Sequence, residues 1–253
     1  MASSRTDEPA AQLIEIAWSW SCPSSERGLA PTERERYHRL RRQVDRDMFA
    51  TGRALLRHVV AARIGVEPCE VVVRATCERC GSANHGAPTI DPVDRIRTAP
   101  HVSLAHAAGL VMVAATDVGP VGIDCEPLTG ALAPGFVDVV LAPHEPVGPT
   151  GASAGALLRT WVRKESLLKA TGHGLRVDPR AVVLSPWWEA PQVVALPGSI
   201  PTAGWRLQDV DPAPGFVGAV AWTSPRSGAP ELTVTEVDLG RSDVRAAPAT
   251  PGA

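Results

Sequence analysis

The chain has 253 residues, 44% of them apolar, and a formal net charge of -2 at neutral pH. That suffices for one large domain or two small ones with a core of useful size, and it gives no reason to expect a polyanion such as a nucleic acid as partner. Met1–Gln12 lacks the apolar stretch of a signal peptide, no run approaches the length of a membrane span, and the cysteines are five, an odd number, so a reduced, cytoplasmic protein is expected rather than a secreted disulfide scaffold.

Leu13–Trp18 reads as an opening strand. Thr32 and Glu35 have capping-box spacing, which predicts a helix from about Glu33, rich in arginine through Arg42. Asp45 suits the N-cap of a second helix, in which Met48, Phe49, Leu55, Leu56, Val59 and Val60 recur at helical spacing. Pro68 closes it, and Val71–Arg74 reads as a strand. Glu78–Pro100 reads as loop, with Gly and Pro marking turns. Three strands follow, His101–Leu104, Leu110–Ala115 and Val121–Glu126, with a turn over Asp117–Pro120. Phe136–Leu141 fits a short helix, and Pro143–Gly155 a connection. Ala156–Ala170 is a strong helical pattern stopped by Gly172 and Gly174. Ala181–Leu184, Trp205–Val210 and Phe216–Trp222 read as strands, and the Ala/Pro-rich tail from Arg241 as disordered. Helices packed on largely antiparallel sheets make an α+β fold.

Three constellations can carry chemistry. In Val121-Gly122-Ile123-Asp124-Cys125-Glu126-Pro127, residues two apart on a strand share a side, which pairs the carboxylates of Asp124 and Glu126. Like charges that close repel unless a cation joins them, and oxygen ligands without histidine suit Mg²⁺; an acidic strand end facing water would look the same. In Trp161-Val162-Arg163-Lys164-Glu165-Ser166-Leu167-Leu168-Lys169-Ala170, positions four apart put Trp161, Glu165 and Lys169 on one helix stripe. A routine Glu–Lys pair beside a core tryptophan has the same spacing. Yet Lys164 and Lys169 are the chain's only lysines, and a lysine kept in an arginine-rich chain marks a place where a compact ammonium fits and a planar guanidinium does not. In Val102-Ser103-Leu104-Ala105-His106 a strand ends at a histidine, which can meet a phosphate or simply lie at the surface. Cys77-Glu78-Arg79-Cys80 with His85 is one ligand short of a structural zinc site, and Cys69 is awkwardly spaced, so reduced thiols are the preferred reading.

Gly122-x-Asp124-x-Glu126 followed by Trp161-x-x-Lys164-Glu165-Ser166-x-x-Lys169-Ala170-x-Gly172-x-Gly174-Leu175 resembles the paired signature of 4'-phosphopantetheinyl transferases. The chain length points to their large monomeric surfactin-synthetase type. Val102–His106 is similar to a third family motif, and the resemblance runs from Leu13 to Trp222. It implies two similar α+β subdomains related by a pseudo-twofold, each with helices on a small, mainly antiparallel sheet. These would span 13–120 and 121–240, ahead of a tail over 241–253, with coenzyme A at the junction.

The resemblance implies that Asp124, Glu126 and Glu165 hold Mg²⁺, that Glu165 is the general base, and that Lys169 meets the coenzyme A phosphates and assists catalysis. It places His106 near the 3'-phosphate; Lys164, roughly 100° round the helix from Glu165, is expected at the edge of the cleft or partly outside it, as a further coenzyme A contact. Basic residues of the family pattern are replaced by Ala87 and Met48, and a serine by Ala105. Arginines of the first helix such as Arg36 are expected to compensate. The implied reaction carries the phosphopantetheine arm of coenzyme A to a serine of an acyl- or peptidyl-carrier protein and releases 3',5'-ADP. Another Mg²⁺-dependent pyrophosphate-cleaving enzyme would use the same carboxylates, and a non-catalytic coenzyme A- or carrier-binding protein would explain the weakened phosphate positions.

Overall fold

The computed structural model describes residues 12–23, 26–77, 80–82, 86–92, 98–129, 131–146, 153–198, 200–224 and 228–239. His85, which the zinc reading needs, and the tail from Arg241 lie outside them. The fold is mixed α+β with small, mostly antiparallel sheets. A four-stranded sheet has the order β11 (Glu231–Glu236), β1 (Leu13–Trp20), β5 (Leu110–Thr116), β4 (His101–Ala107). A three-stranded sheet runs β6 (Val121–Pro127), β10 (Phe216–Thr223), β9 (Trp205–Val210). Two short ladders pair β2 (Val73–Ala75) with β3 (Pro88–Ile90) and β7 (Val183–Leu184) with β8 (Val193–Ala195).

Among the described residues there are four α-helices, α1 (Pro31–Arg39), α2 (Gln43–Ile64), α3 (Phe136–Val140) and α4 (Ala154–Ala170), of which α2 and α4 pack on the sheets. The first begins earlier than its Thr32/Glu35 spacing suggests. Its N-cap is Ala30, which has no side-chain oxygen, and Glu33 Oε2 accepts the Ala30 N–H at 2.8 Å. Asp45 is likewise not a cap: Arg42 is, and Asp45 in the first turn holds its guanidinium at 2.7 Å. α2 stops at Gly65, whose φ of 70° is left-handed and whose N–H reaches back to Ala61, so Pro68 only follows a helix already ended. Ser153 caps α4 by accepting from the Ala156 N–H.

β5 is buried along its whole length, as expected of a strand covered on both faces. Ala17, Val111, Val113 and Ala115 pack with Leu55, Leu56, Val59 and Val60 of α2. Ile16, Met112 and Ala114 point the other way, into a core shared with Ile123, Cys125, Val220 and Trp222 of the second sheet. The sheets are tied where Ser103 Oγ of β4 accepts the Ile123 N–H of β6 at 3.1 Å. Among the described residues, no helix is long and apolar enough to cross a membrane.

Candidate active site

The site forms where α4 lies against β6. Strand alternation sends Ile123 and Cys125 into the core and leaves Asp124 and Glu126 toward the helix. Gly122 makes the contact possible: a Cβ there would stand 1.9 Å from Ser166 O and 2.5 Å from Ala170 N. With no side chain to hold it off, the helix brings its Trp161–Glu165–Lys169 stripe onto the strand. Lys169 Nζ donates to Asp124 Oδ1 at 2.7 Å and to Ile123 O at 3.1 Å, and stands 3.9 Å from Glu165 Oε2. Trp161 lies close enough to the Glu126 carboxylate to lower its pKa, and its ring packs on Phe136 of α3, centroids 5.6 Å apart.

The three carboxylates share one field. Burial, then repulsion from Asp124 and Glu165, pushes Glu126 up to about 6, with Trp161 and Lys169 opposing. Glu165 is raised by burial and by Asp124. Asp124 is raised by burial, against the pull of Lys169. The charge of Lys169 therefore balances only part of the cluster. Asp124 Oδ2 is buried without a hydrogen-bond partner, and an orphaned carboxylate oxygen among repelling carboxylates fits a divalent cation. Among the described residues, no three His, Cys, Asp or Glu side chains already surround a common metal position. The Lys169 ammonium stands between Asp124 and Glu165, where spacing alone suggested the ion. Mg²⁺ does not require such a cage, since it uses one or two carboxylates together with water and substrate phosphate.

His106, at the end of β4, belongs to the same neighbourhood. Its pKa is lowered first by desolvation, then by Lys169 and Arg36, while Asp124 raises it. Arg36 of α1 is thus within electrostatic reach of the histidine. Its guanidinium lies 5.3 Å from the Phe49 ring centre, and desolvation lowers its pKa.

Lys164 is elsewhere. Its side chain is 0% exposed, and its ammonium donates to Val140 O at 2.8 Å and pairs with Glu145. The expectation that it borders the cleft and meets coenzyme A is corrected: one residue back from Glu165 is a turn of roughly 100°, which aims Lys164 into the protein. Glu145 completes a small knot, accepting also from the N–H groups of Ala142 and Leu184. Sequence reasoning passed over it as part of a loop, and an acidic residue in a Pro/Gly-rich stretch carries no signal that it is buried. Arg163 is committed too, to Asp209 and the carbonyls of Pro186, Trp187 and Glu189. The approach of Trp161 to Glu126 was not foreseen either, because it joins a strand and a helix distant in sequence. None of the five cysteines is in a disulfide.

The chain is similar, at 27% identity over 227 residues, to 4'-phosphopantetheinyl transferase HetI of Nostoc sp. (strain PCC 7120 / SAG 25.82 / UTEX 2576), across 85% of this chain and 83% of that protein. Residues 120–221, which contain β6, α4, β9 and most of β10, and with them Asp124, Glu126, Glu165 and Lys169, match the 4'-phosphopantetheinyl transferase superfamily.

Proposed function

We propose that this protein is a Mg²⁺-dependent 4'-phosphopantetheinyl transferase of the large monomeric surfactin-synthetase type, acting in the cytoplasm on acyl- or peptidyl-carrier proteins. The observation that carries the reading is the meeting of Asp124, Glu126, Glu165 and Lys169 on one strand–helix contact within the matched segment. Asp124, Glu126 and Glu165 are the residues to hold the metal, with Asp124 Oδ2 as the open oxygen. Mg²⁺ held there would neutralise pyrophosphate charge.

The remaining steps belong to the chain's own groups. Glu165 accepts the proton of the carrier serine as its oxygen attacks the β-phosphorus of coenzyme A, and its raised affinity for a proton favours that role. The new serine–phosphorus bond forms as the bridging P–O bond to 3',5'-ADP breaks. Lys169, already beside Asp124, offsets the charge that builds on the departing phosphate. Arg36 extends positive charge away from the reacting phosphorus toward the rest of the nucleotide, and His106, whose pKa is lowered, offers a neutral imidazole beside it.

The test is intact mass of several apo-carriers after incubation with coenzyme A and Mg²⁺. The expected result is one added phosphopantetheine per carrier, with 3',5'-ADP released. Free phosphopantetheine and unmodified carriers would identify a hydrolase instead; coenzyme A binding without turnover would leave only a binding protein.

A further inference from the structure

Lys169 already does for the acidic cluster part of what a metal ion would do. Its ammonium donates to Asp124 Oδ1 at 2.7 Å and to Ile123 O at 3.1 Å, and stands 3.9 Å from Glu165 Oε2. Carboxylate and backbone carbonyl oxygens are also the donors a hard divalent cation takes, so the ammonium holds oxygens that such an ion would claim. The other oxygen of Asp124 stays buried without a hydrogen-bond partner. One ammonium faces three carboxylates, Asp124, Glu126 and Glu165, and leaves them an excess of negative charge. The two lysines of α4 also differ in freedom to move. Lys164 is sealed against Glu145 and Val140 O. Lys169 is 28% exposed and lies in the last turn of the helix. A lysine stem is flexible, so this ammonium can leave Asp124 for another anion without opening the core.

We infer that Lys169 is a resident counter-ion that competes with the divalent cation for Asp124, so that this chain takes up metal together with a diphosphate rather than ahead of it. A metal ion arriving alone must bind beside the ammonium or drive it into water. A metal chelated by a diphosphate brings an anion with it: Lys169 passes from Asp124 to a phosphate oxygen as Asp124 passes from the ammonium to the metal. Both ligands act on the position of one side chain, and each therefore strengthens the binding of the other by the same factor. The ligand this site prefers is the metal–diphosphate chelate, not either part alone. The inference rests on the reading that the site binds Mg²⁺ and the diphosphate of coenzyme A.

The experiment is titration of the full-length protein with Mn²⁺ in the absence of coenzyme A, free Mn²⁺ being read from its electron paramagnetic resonance signal, for the parent, Lys169→Met and Lys169→Gln. Methionine removes the charge and keeps the length of the stem; glutamine can still donate to Asp124 should the methionine variant fold poorly. Both variants should bind Mn²⁺ at least about tenfold more tightly than the parent, because the charge removed touches the ligand oxygen. Equal affinities overturn the competition. A second measurement needs no variant of altered stability. Lys164 and Lys169 are the chain's only lysines, so lysine-selective isotope labelling gives two side-chain resonances in the parent. Mg²⁺ with coenzyme A should move the Lys169 resonance much further than the same Mg²⁺ alone, and leave that of Lys164 in place. A Lys169 resonance moved as far by Mg²⁺ alone, or by neither, overturns the coupling. Carrier modification by the parent separates the two readings: transfer with a Mn²⁺ affinity indifferent to Lys169 removes the competition alone. Tighter Mn²⁺ binding in the variants, in a protein that modifies no carrier, removes the transferase reading and keeps the competition.

Discussion

The two lysines show how one helix assigns different tasks to like side chains. Lys164 is sealed inside with Val140 O and Glu145, whereas Lys169 is 28% exposed and sits among the acidic groups. A guanidinium cannot be enlarged into the Lys164 site without displacing its neighbours, and overpacking of this kind costs about 1–3 kcal/mol. Lys164→Arg should therefore lower the melting temperature by several degrees, on the scale of about 2–4 °C per kcal/mol for a chain of this size. Lys169→Arg should melt close to the parent in calorimetry yet transfer phosphopantetheine roughly tenfold slower or worse, since the charge stays while its position shifts. A Lys164→Arg protein as stable as the parent would contradict the buried pair. Glu126 makes a pH-dependent case. Its folded pKa of about 6 lies above the ordinary 4.5, so its proton binds more tightly in the folded state. The stability this contributes is complete below about 4.5 and is lost as pH rises through about 6. Glutamine stays neutral at both pH values, so Glu126→Gln should melt higher than the parent at pH 7.5 and show no gain at pH 4.5. Turnover should drop by about 100-fold or more, as expected when an electrostatic stabiliser is removed. Equal melting shifts at both pH values would mean that carboxylate repulsion is not the cause.

Between elements, the decisive position is Gly122, where β6 and α4 touch. Gly122→Ala would place a methyl group 1.9 Å from Ser166 O, and backbone cannot yield as a flexible side-chain end can. The helix must lift, and with it Glu165 and Lys169. We expect a loss of at least about 2 kcal/mol in denaturant unfolding and transfer reduced by roughly 100-fold or more even in the folded fraction. A variant that keeps parental activity would show that the helix does not need this closeness. The same contact marks what the sequence could and could not reveal. Strand period two and helix period four are local rules, and they sufficed to pair Asp124 with Glu126 and Glu165 with Lys169. The long apolar strands and α4 were legible for the same reason. Local rules say nothing about which way a helix turns its remaining faces, so the burial of Lys164 and the link from Trp161 to Glu126 had to come from the structure. Short strands at the edges escaped too: β3 is three residues beside a proline, and β11 presents only Leu232 and Val234 as apolar side chains, Val234 being 47% exposed. The caps of α1 and α2 were misplaced because Ala30 and Arg42 lack the short oxygen-bearing side chains by which caps are recognised.

At the scale of the whole molecule, β11 closes the chain on itself. Glu231–Glu236 runs parallel to β1, Ile14 opposite Leu232 and Ile16 opposite Val234, so the last described strand lies beside the first. Trp18 O also accepts from the Val237 N–H, and Leu239 packs into the core beneath α2. A strand from the C-terminal part of the chain therefore completes the sheet on which α2 rests, while β4 of that sheet is bonded to β6 of the site. Removing β11 would bare the backbone edge of β1 and uncover Leu239's place in the core. A parallel edge strand contributes its ladder hydrogen bonds, each worth about 0.5–1.5 kcal/mol net, together with the apolar area it covers. A chain ending at Ser224 should consequently melt well below one ending at Leu239, by about 5 °C or more at a few kcal/mol. Both cuts lie outside the matched segment 120–221, so Asp124, Glu126, Glu165 and Lys169 of the proposed site are retained in each. Because the two sheets share one core through Ile16, Met112, Ile123 and Val220, the loss should appear as a single transition moved to lower temperature rather than as early melting of one half. Two resolved transitions in the shorter chain would mean that the halves fold independently. Equal melting of the two chains would mean that β11 adds no stability to the sheet it borders.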